Sequence, residues 1–241
     1  VQSVPYTSSR GPLANTALYP QLAPRADIAQ YVAKYVDASK VYTQRAIGKI
    51  DRAAPKNEGA QGGSGGPLGN LIADAQLGAT RSAGAQIAFM NPFGIRAPLV
   101  PAGDGTLTFG DIYLCQPFGN NVVTQTMTGA QIKATLEQGL DDTGPIQALA
   151  PSVGFVFAYD LTRASGDRIV SITLDGQPLA MAKPYRVTVN GFLAVGGDGF
   201  SGFTDKPDTV TGPADIDALE NWIKAVPMRE VPQERRAAMV G

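Results

Sequence analysis

Apolar residues recur at helical spacing along several stretches of this chain. Ile28, Tyr31, Val32, Tyr35 and Val36 fall at i, i+3, i+4, i+7 and i+8. That spacing predicts an amphipathic helix over 24–45, with Pro24 suited to its first turn. Leu71, Ile72, Ala75 and Gln76 predict a second helix over 68–82, with these four residues facing the core. Ile216, Leu219, Trp222 and Ile223 predict another over 214–226, introduced by Pro213. Thr128-Gly-Ala-Gln131 is a capping box, so a helix should open there and run to about Leu140. A short helical turn is expected over 110–115.

Elsewhere the period changes to two. Short strands are predicted over 46–51, 86–90, 106–109, 121–127 and 185–190. The alternating stretches 153–159 and 168–174 should pair as antiparallel strands, with Asp175-Gly176 as a tight turn after them. Helices and strands are mixed, and the later strands follow one another. The expected class is therefore α+β, with mixed β-sheets flanked by helices. Residues 1–23 carry little periodicity. Residues 55–66 read as a glycine-rich linker loop, and 227–241 as a polar, basic C-terminal tail.

Composition removes several chemistries. The chain has 241 residues, no histidine and one cysteine, Cys115. A histidine base or triad is excluded, an intrachain disulfide cannot form, and a zinc centre is not expected. An all-carboxylate Mg or Ca site is chemically open, but no Asp/Glu spacing suggests one. The net charge of −1 gives no reason to expect a nucleic acid polymer as partner. No apolar run is long enough for a membrane span. The chain begins at Val1 without a leader-like segment, and is expected to be a processed product or a fragment.

Three loops share a chemistry. Residues 91–96 offer Asn91 and Arg96 around Gly94. Residues 116–121 offer Phe118 on a Pro-Phe-Gly turn, then Asn120. Residues 190–200 offer Phe192 and Asp198 among four glycines. Two loop aromatics can sandwich a planar base, a carboxylate can accept from vicinal ribose hydroxyls, and an arginine can hold a phosphate. Taken singly, each residue also has an ordinary reading: core phenylalanines, an ion-pairing arginine, an aspartate capping a turn.

The order of the motifs is more specific. Gly69-Asn-Leu-Ile-Ala-Asp-Ala75, Asn91-x-x-Gly94-Ile-Arg96, Gln116-Pro-Phe-Gly-Asn120 and Asn190-x-Phe-Leu-Ala-x-Gly-Gly-Asp-Gly-Phe200 follow one another. Together they resemble the C-terminal, substrate-binding domain of the 5'-nucleotidase family, which includes UDP-sugar hydrolases and cyclic-nucleotide phosphodiesterases. The resemblance implies a domain over 46–226, an interdomain linker helix at 24–45, and a remnant of a preceding catalytic domain at 1–23. It implies that Phe118 and Phe192 stack on the base, Asp198 binds the ribose hydroxyls, Asn91 and Arg96 contact ribose or phosphate, and Asn120 and Gly154 lie beside the base.

It further implies nucleotide phosphate ester hydrolysis by two divalent metal ions held in an N-terminal metallophosphatase domain absent here, so this chain alone should bind a nucleoside or nucleotide without hydrolysing it. A periplasmic or cell-surface location is expected. The pattern departs from the family at Phe93, where glycine is usual, and at 62–66, where no arginine precedes the Gly-Asn-Leu motif. These departures motivate a second reading, a non-catalytic binding or adhesion module; a third is a related exported hydrolase of another ester.

Overall fold

The structure is a computed structural model and describes residues 25–56 and 66–240. The segment expected to be a catalytic-domain remnant, and most of the glycine-rich loop, lie outside the described residues. The chain divides into two units, Val1–Val41 and Tyr42–Gly241. Helix α1 (Ala26–Thr43) supplies most of what is described in the first, with Asp27 in its first turn and Lys40 in its last, both suited to the helix dipole. Its predicted apolar stripe forms but is exposed, from 51% at Val36 to 63% at Tyr31.

In the second unit, β1 (Ala46–Lys49) pairs antiparallel with β3 (Thr106–Thr108). Helix α2 (Gly66–Ala79) follows β1 and is buried continuously from Leu68 to Leu77, more fully than a one-sided stripe predicts. Strand β2 (Ile87–Met90) comes next, and after β3 the short helix α3 (Phe109–Cys115). Strand β4 (Asn121–Thr128) runs straight into α4 (Gly129–Gln138). The predicted capping box is present there: the Thr128 side chain accepts from the Gln131 N–H, and Gln131 accepts from the Thr128 N–H.

The later strands are β5 (Ala150–Pro151), β6 (Phe155–Tyr159), β7 (Ile169–Leu174), β8 (Gln177–Pro178) and β9 (Pro184–Asn190). Helical turn α5 (Gly191–Ala194), strand β10 (Val210–Ala214), α6 (Asp215–Lys224) and β11 (Ala237–Met239) complete the unit. A five-stranded sheet has the order β10-β4-β9-β2-β5, and a four-stranded sheet the order β11-β6-β7-β8. Strands β6 and β7 are antiparallel as predicted, and Asp175 and Gly176 both have positive φ in the turn between β7 and β8.

Two predictions need correction. Pro213 lies in edge strand β10, where no sheet partner asks for its missing N–H. Residues 227–240 form no loose tail: β11 pairs parallel with β6, and buried Arg236 makes a two-pronged ion pair with Asp74, at 2.6 and 3.0 Å. A polar, basic composition reads as solvated when its acidic partner lies 162 residues away.

One apolar core, with Phe89, Phe155, Phe157, Phe200 and Phe203, packs around the two larger sheets and α4. A second joins α2, α6 and β1 through Leu71, Ile72, Leu219, Ile223 and Ile47. Cys115 is buried in this second core, and burial pushes its thiol up to about 12, so it acts as a small apolar side chain.

Candidate functional site

Sheet topology brings the loops together. Strands β2 and β9 are parallel, so Asn91 and Asn190 emerge at the same edge of the sheet. Strand β4 is antiparallel to β9, with Val122 opposite Asn190, which puts the 117–120 turn at that edge too. Strand β10 is antiparallel to β4, with Ala214 opposite Asn121, and delivers the start of α6 beside it. A cavity of about 400 Å³ opens there. Asn91, Arg96, Phe118, Asn120, Phe192 and Asp198 all line it, together with Phe93, Gly94, Asn190 and Asp215.

A directed series of hydrogen bonds builds one wall. The Leu193 N–H donates to Asn190 Oδ1 at 2.9 Å, capping α5. Asn190 Nδ2 donates to Asn91 Oδ1 at 2.8 Å, and Asn91 Nδ2 donates to Asp198 Oδ2 at 2.7 Å. Gln147 Nε2 donates to the Asp198 backbone carbonyl at 3.2 Å. Asp198 itself adopts φ 55°, a left-handed conformation that Asp tolerates better than most residues. Asn91 is buried within this network, so its amide serves first to hold Asp198.

Two glycines sit in close approach to neighbouring side chains. A Cβ on Gly94 would lie 2.7 Å from Asn91 Oδ1, so the turn after β2 can fold over Asn91 only with glycine there. A Cβ on Gly197 would lie 2.4 Å from the Phe192 ring, which rests on this part of the loop. The Phe118 and Phe192 rings are 53% and 43% exposed although they line a cavity, an expensive arrangement unless a ligand covers them. Phe93 is exposed beside them, so its side chain faces the cavity instead of turning into the core. The Arg96 guanidinium is exposed and stands 6.0 Å from the centre of the Phe118 ring.

Gly154 is set apart from the other six residues. It does not line this cavity: it has φ 88° and packs against Asp175 where β6 and β7 meet. Its glycine is explained by that turn. Asp215 is the cavity residue that sequence patterning passes over. By pattern it is one more polar residue in an amphipathic helix, and only the β4–β10 pairing shows which surface it faces. An acidic residue at the first position of a helix is the available signal. Among the described residues, no group of three or more His, Cys, Asp or Glu side chains is arranged to hold a metal ion.

The arrangement thus offers two exposed aromatic side chains, a carboxylate that accepts hydrogen bonds, and an arginine that attracts an anion, around one cavity. The family model for the 5'-nucleotidase C-terminal domain matches residues 25–205. The "Trifunctional nucleotide phosphoesterase protein YfkN" of Bacillus subtilis is 38% identical over 145 residues, 57% of this chain and 10% of that protein. The "Cell wall protein Lmo0130" of Listeria monocytogenes is 37% identical over 166 residues, 65% of this chain and 21% of that protein. A 5'-nucleotidase precursor from Thermus thermophilus superimposes with a TM-score of 0.77 at 31% identity, over 90% of this chain and 44% of that one. The chain thus spans less than half the length of each of these relatives.

Proposed function

The chain belongs to the family of 5'-nucleotidase C-terminal domains, and from that membership we propose that its cavity holds the nucleoside part of a nucleotide whose phosphate ester is cleaved by a partner domain. The observation that carries this reading is the pair of half-exposed rings, Phe118 and Phe192, in one cavity with Asp198. The base stacks on the two rings. Asp198, held from behind by Asn91, accepts from the ribose hydroxyls. Arg96 reaches the phosphate, or the ribose beside it, from the rim.

The two divalent metal ions of such hydrolysis are assigned to a metallophosphatase domain outside these residues. Bound there, they would activate water and stabilise the charge on the phosphoryl group. Among the described residues no group of three or more His, Cys, Asp or Glu side chains is placed to hold a metal ion; on this reading the chain binds and orients the nucleotide and the partner domain breaks the bond. Nucleotide catabolism in the periplasm or at the cell surface follows from this reading. The Listeria relative, named as a cell wall protein, supports the location. Among the described residues no helix is long and apolar enough to cross a membrane.

Removing one stacking face tests the proposal. Calorimetric titration with AMP should show weaker binding for Phe192→Ala by roughly 5- to 150-fold, the equivalent of ~1–3 kcal/mol of stacking. Equal affinity in the variant would sink the base-clamp reading.

A further inference from the structure

The turn after β2 buries most of what it carries. Asn91, Pro92, Gly94 and Ile95 are buried, whereas Phe93 and Arg96 are exposed. Pro92–Gly94 is a single 3-10 turn, closed by the Gly94 N–H on the Asn91 carbonyl and the Ile95 N–H on the Pro92 carbonyl, both at 3.2 Å. Two further hydrogen bonds anchor its far side. The Arg96 N–H donates to the Cys115 carbonyl at 2.8 Å, and Lys56 Nζ donates to the Ile95 carbonyl at 2.8 Å. The turn is thus a fixed mount for two presented side chains, and both line the cavity. They are also neighbours, since Arg96 Nη1 lies 3.5 Å from the Phe93 carbonyl.

Three half-exposed aromatic residues therefore face one cavity: Phe93 at 40%, Phe118 at 53% and Phe192 at 43%. A planar base has two faces, so a base clamp of Phe118 and Phe192 leaves the Phe93 ring unused. Among the described residues no other ring stacks on Phe93. Its place beside Arg96 puts it at the phosphate end of the cavity on the nucleoside reading. Covering such a ring with apolar or aromatic surface is favourable. A further phosphate group would not cover it favourably, because the face of the ring carries the negative part of its quadrupole. Resting on that nucleoside reading, we infer that Phe93 is a specificity-determining residue that favours nucleotides whose phosphate carries a second ester group with a flat or apolar face.

The methyl and phenyl esters of AMP make the test, since both are phosphodiesters of the same charge and differ in the ring. Calorimetric titration of the 241-residue chain should show the phenyl ester binding roughly tenfold tighter. Phe93→Ala should shrink that preference to within about twofold and leave methyl ester affinity unchanged, which a merely damaged cavity would not do. Phe93→Tyr keeps a ring and should keep the preference. Equal affinity of wild type for the two esters, a preference that survives in Phe93→Ala, or one lost in Phe93→Tyr overturns the inference. Phe93→Ala weakening both esters alike makes the ring a wall of the nucleoside clamp, and tightening both alike makes it a plug; either result overturns the inference too. All of these outcomes leave the base clamp standing if Phe192→Ala still weakens the methyl ester. Wild type binding neither ester overturns the nucleoside reading and this inference with it.

Discussion

Behind the cavity wall, the position of the Phe192 ring is set by a residue without a side chain. Gly197 lies under Phe192, and any Cβ there would meet the ring at 2.4 Å. The ring is the end of a rotatable side chain, so Gly197→Ala should swing Phe192 aside without unfolding the domain. Affinity for AMP should fall by about tenfold, within the range of one stacking face. In a Phe192→Ala background the same change should cost nothing more, and a double-mutant cycle by calorimetry measures that coupling. At this scale the sequence is informative where motifs are local. Six of seven candidate residues converge because their loops adjoin the ends of β2, β4 and β9 that lie side by side. Gly154 does not converge, since its glycine answers to a turn around Asp175. The place of Asp215 in the cavity does not follow from local sequence because it depends on the pairing of β10 with β4, which lie 86 residues apart at Thr124 and Val210.

At the scale of elements, periodicity and capping read well. The Thr128 box stops β4 and starts α4 without a connecting loop, so the cap fixes both ends at once. Thr128→Ala should lower stability by about 1 kcal/mol, measured as a shift in urea midpoint with an unchanged slope. The strands that the sequence pattern does not reveal are β5, β8, β10 and β11. Two of these have two residues each, and β5, β8 and β10 contain proline, which suppresses any strand signal. They exist because a neighbouring strand offers its edge. The absence of a local pattern is therefore the expected signature of a strand imposed by tertiary context.

At the scale of the whole second unit, charge pairs tie distant segments together. Glu220 on α6 accepts from both guanidinium nitrogens of Arg45, at 2.6 and 2.9 Å, and pairs also with Lys224. Arg45 first, helped by Lys224, holds the Glu220 carboxyl down to about 2, from an ordinary value of 4.5. A depressed carboxylate stabilises the fold fully above its unfolded value and loses that contribution as pH falls through the folded one. Chemical denaturation should therefore show stability declining as pH drops from 4.5 toward 2, with a shallower decline in Glu220→Gln.

The parallel pairing of β2 and β9 has a different kind of consequence, through Asn91 and Asn190. The series they form begins at a backbone N–H, which can only give a hydrogen bond. Each amide downstream must then take at its oxygen and give at its nitrogen, and the sense of the whole series is set before it reaches the cavity. Reversing either amide would oppose like poles at both of its ends. The terminal group must consequently be a taker, and Asp198 is one. A main-chain dipole at the start of a helical turn thus dictates the hydrogen-bonding polarity that the cavity presents at Asp198, with no ionisable group until the last member.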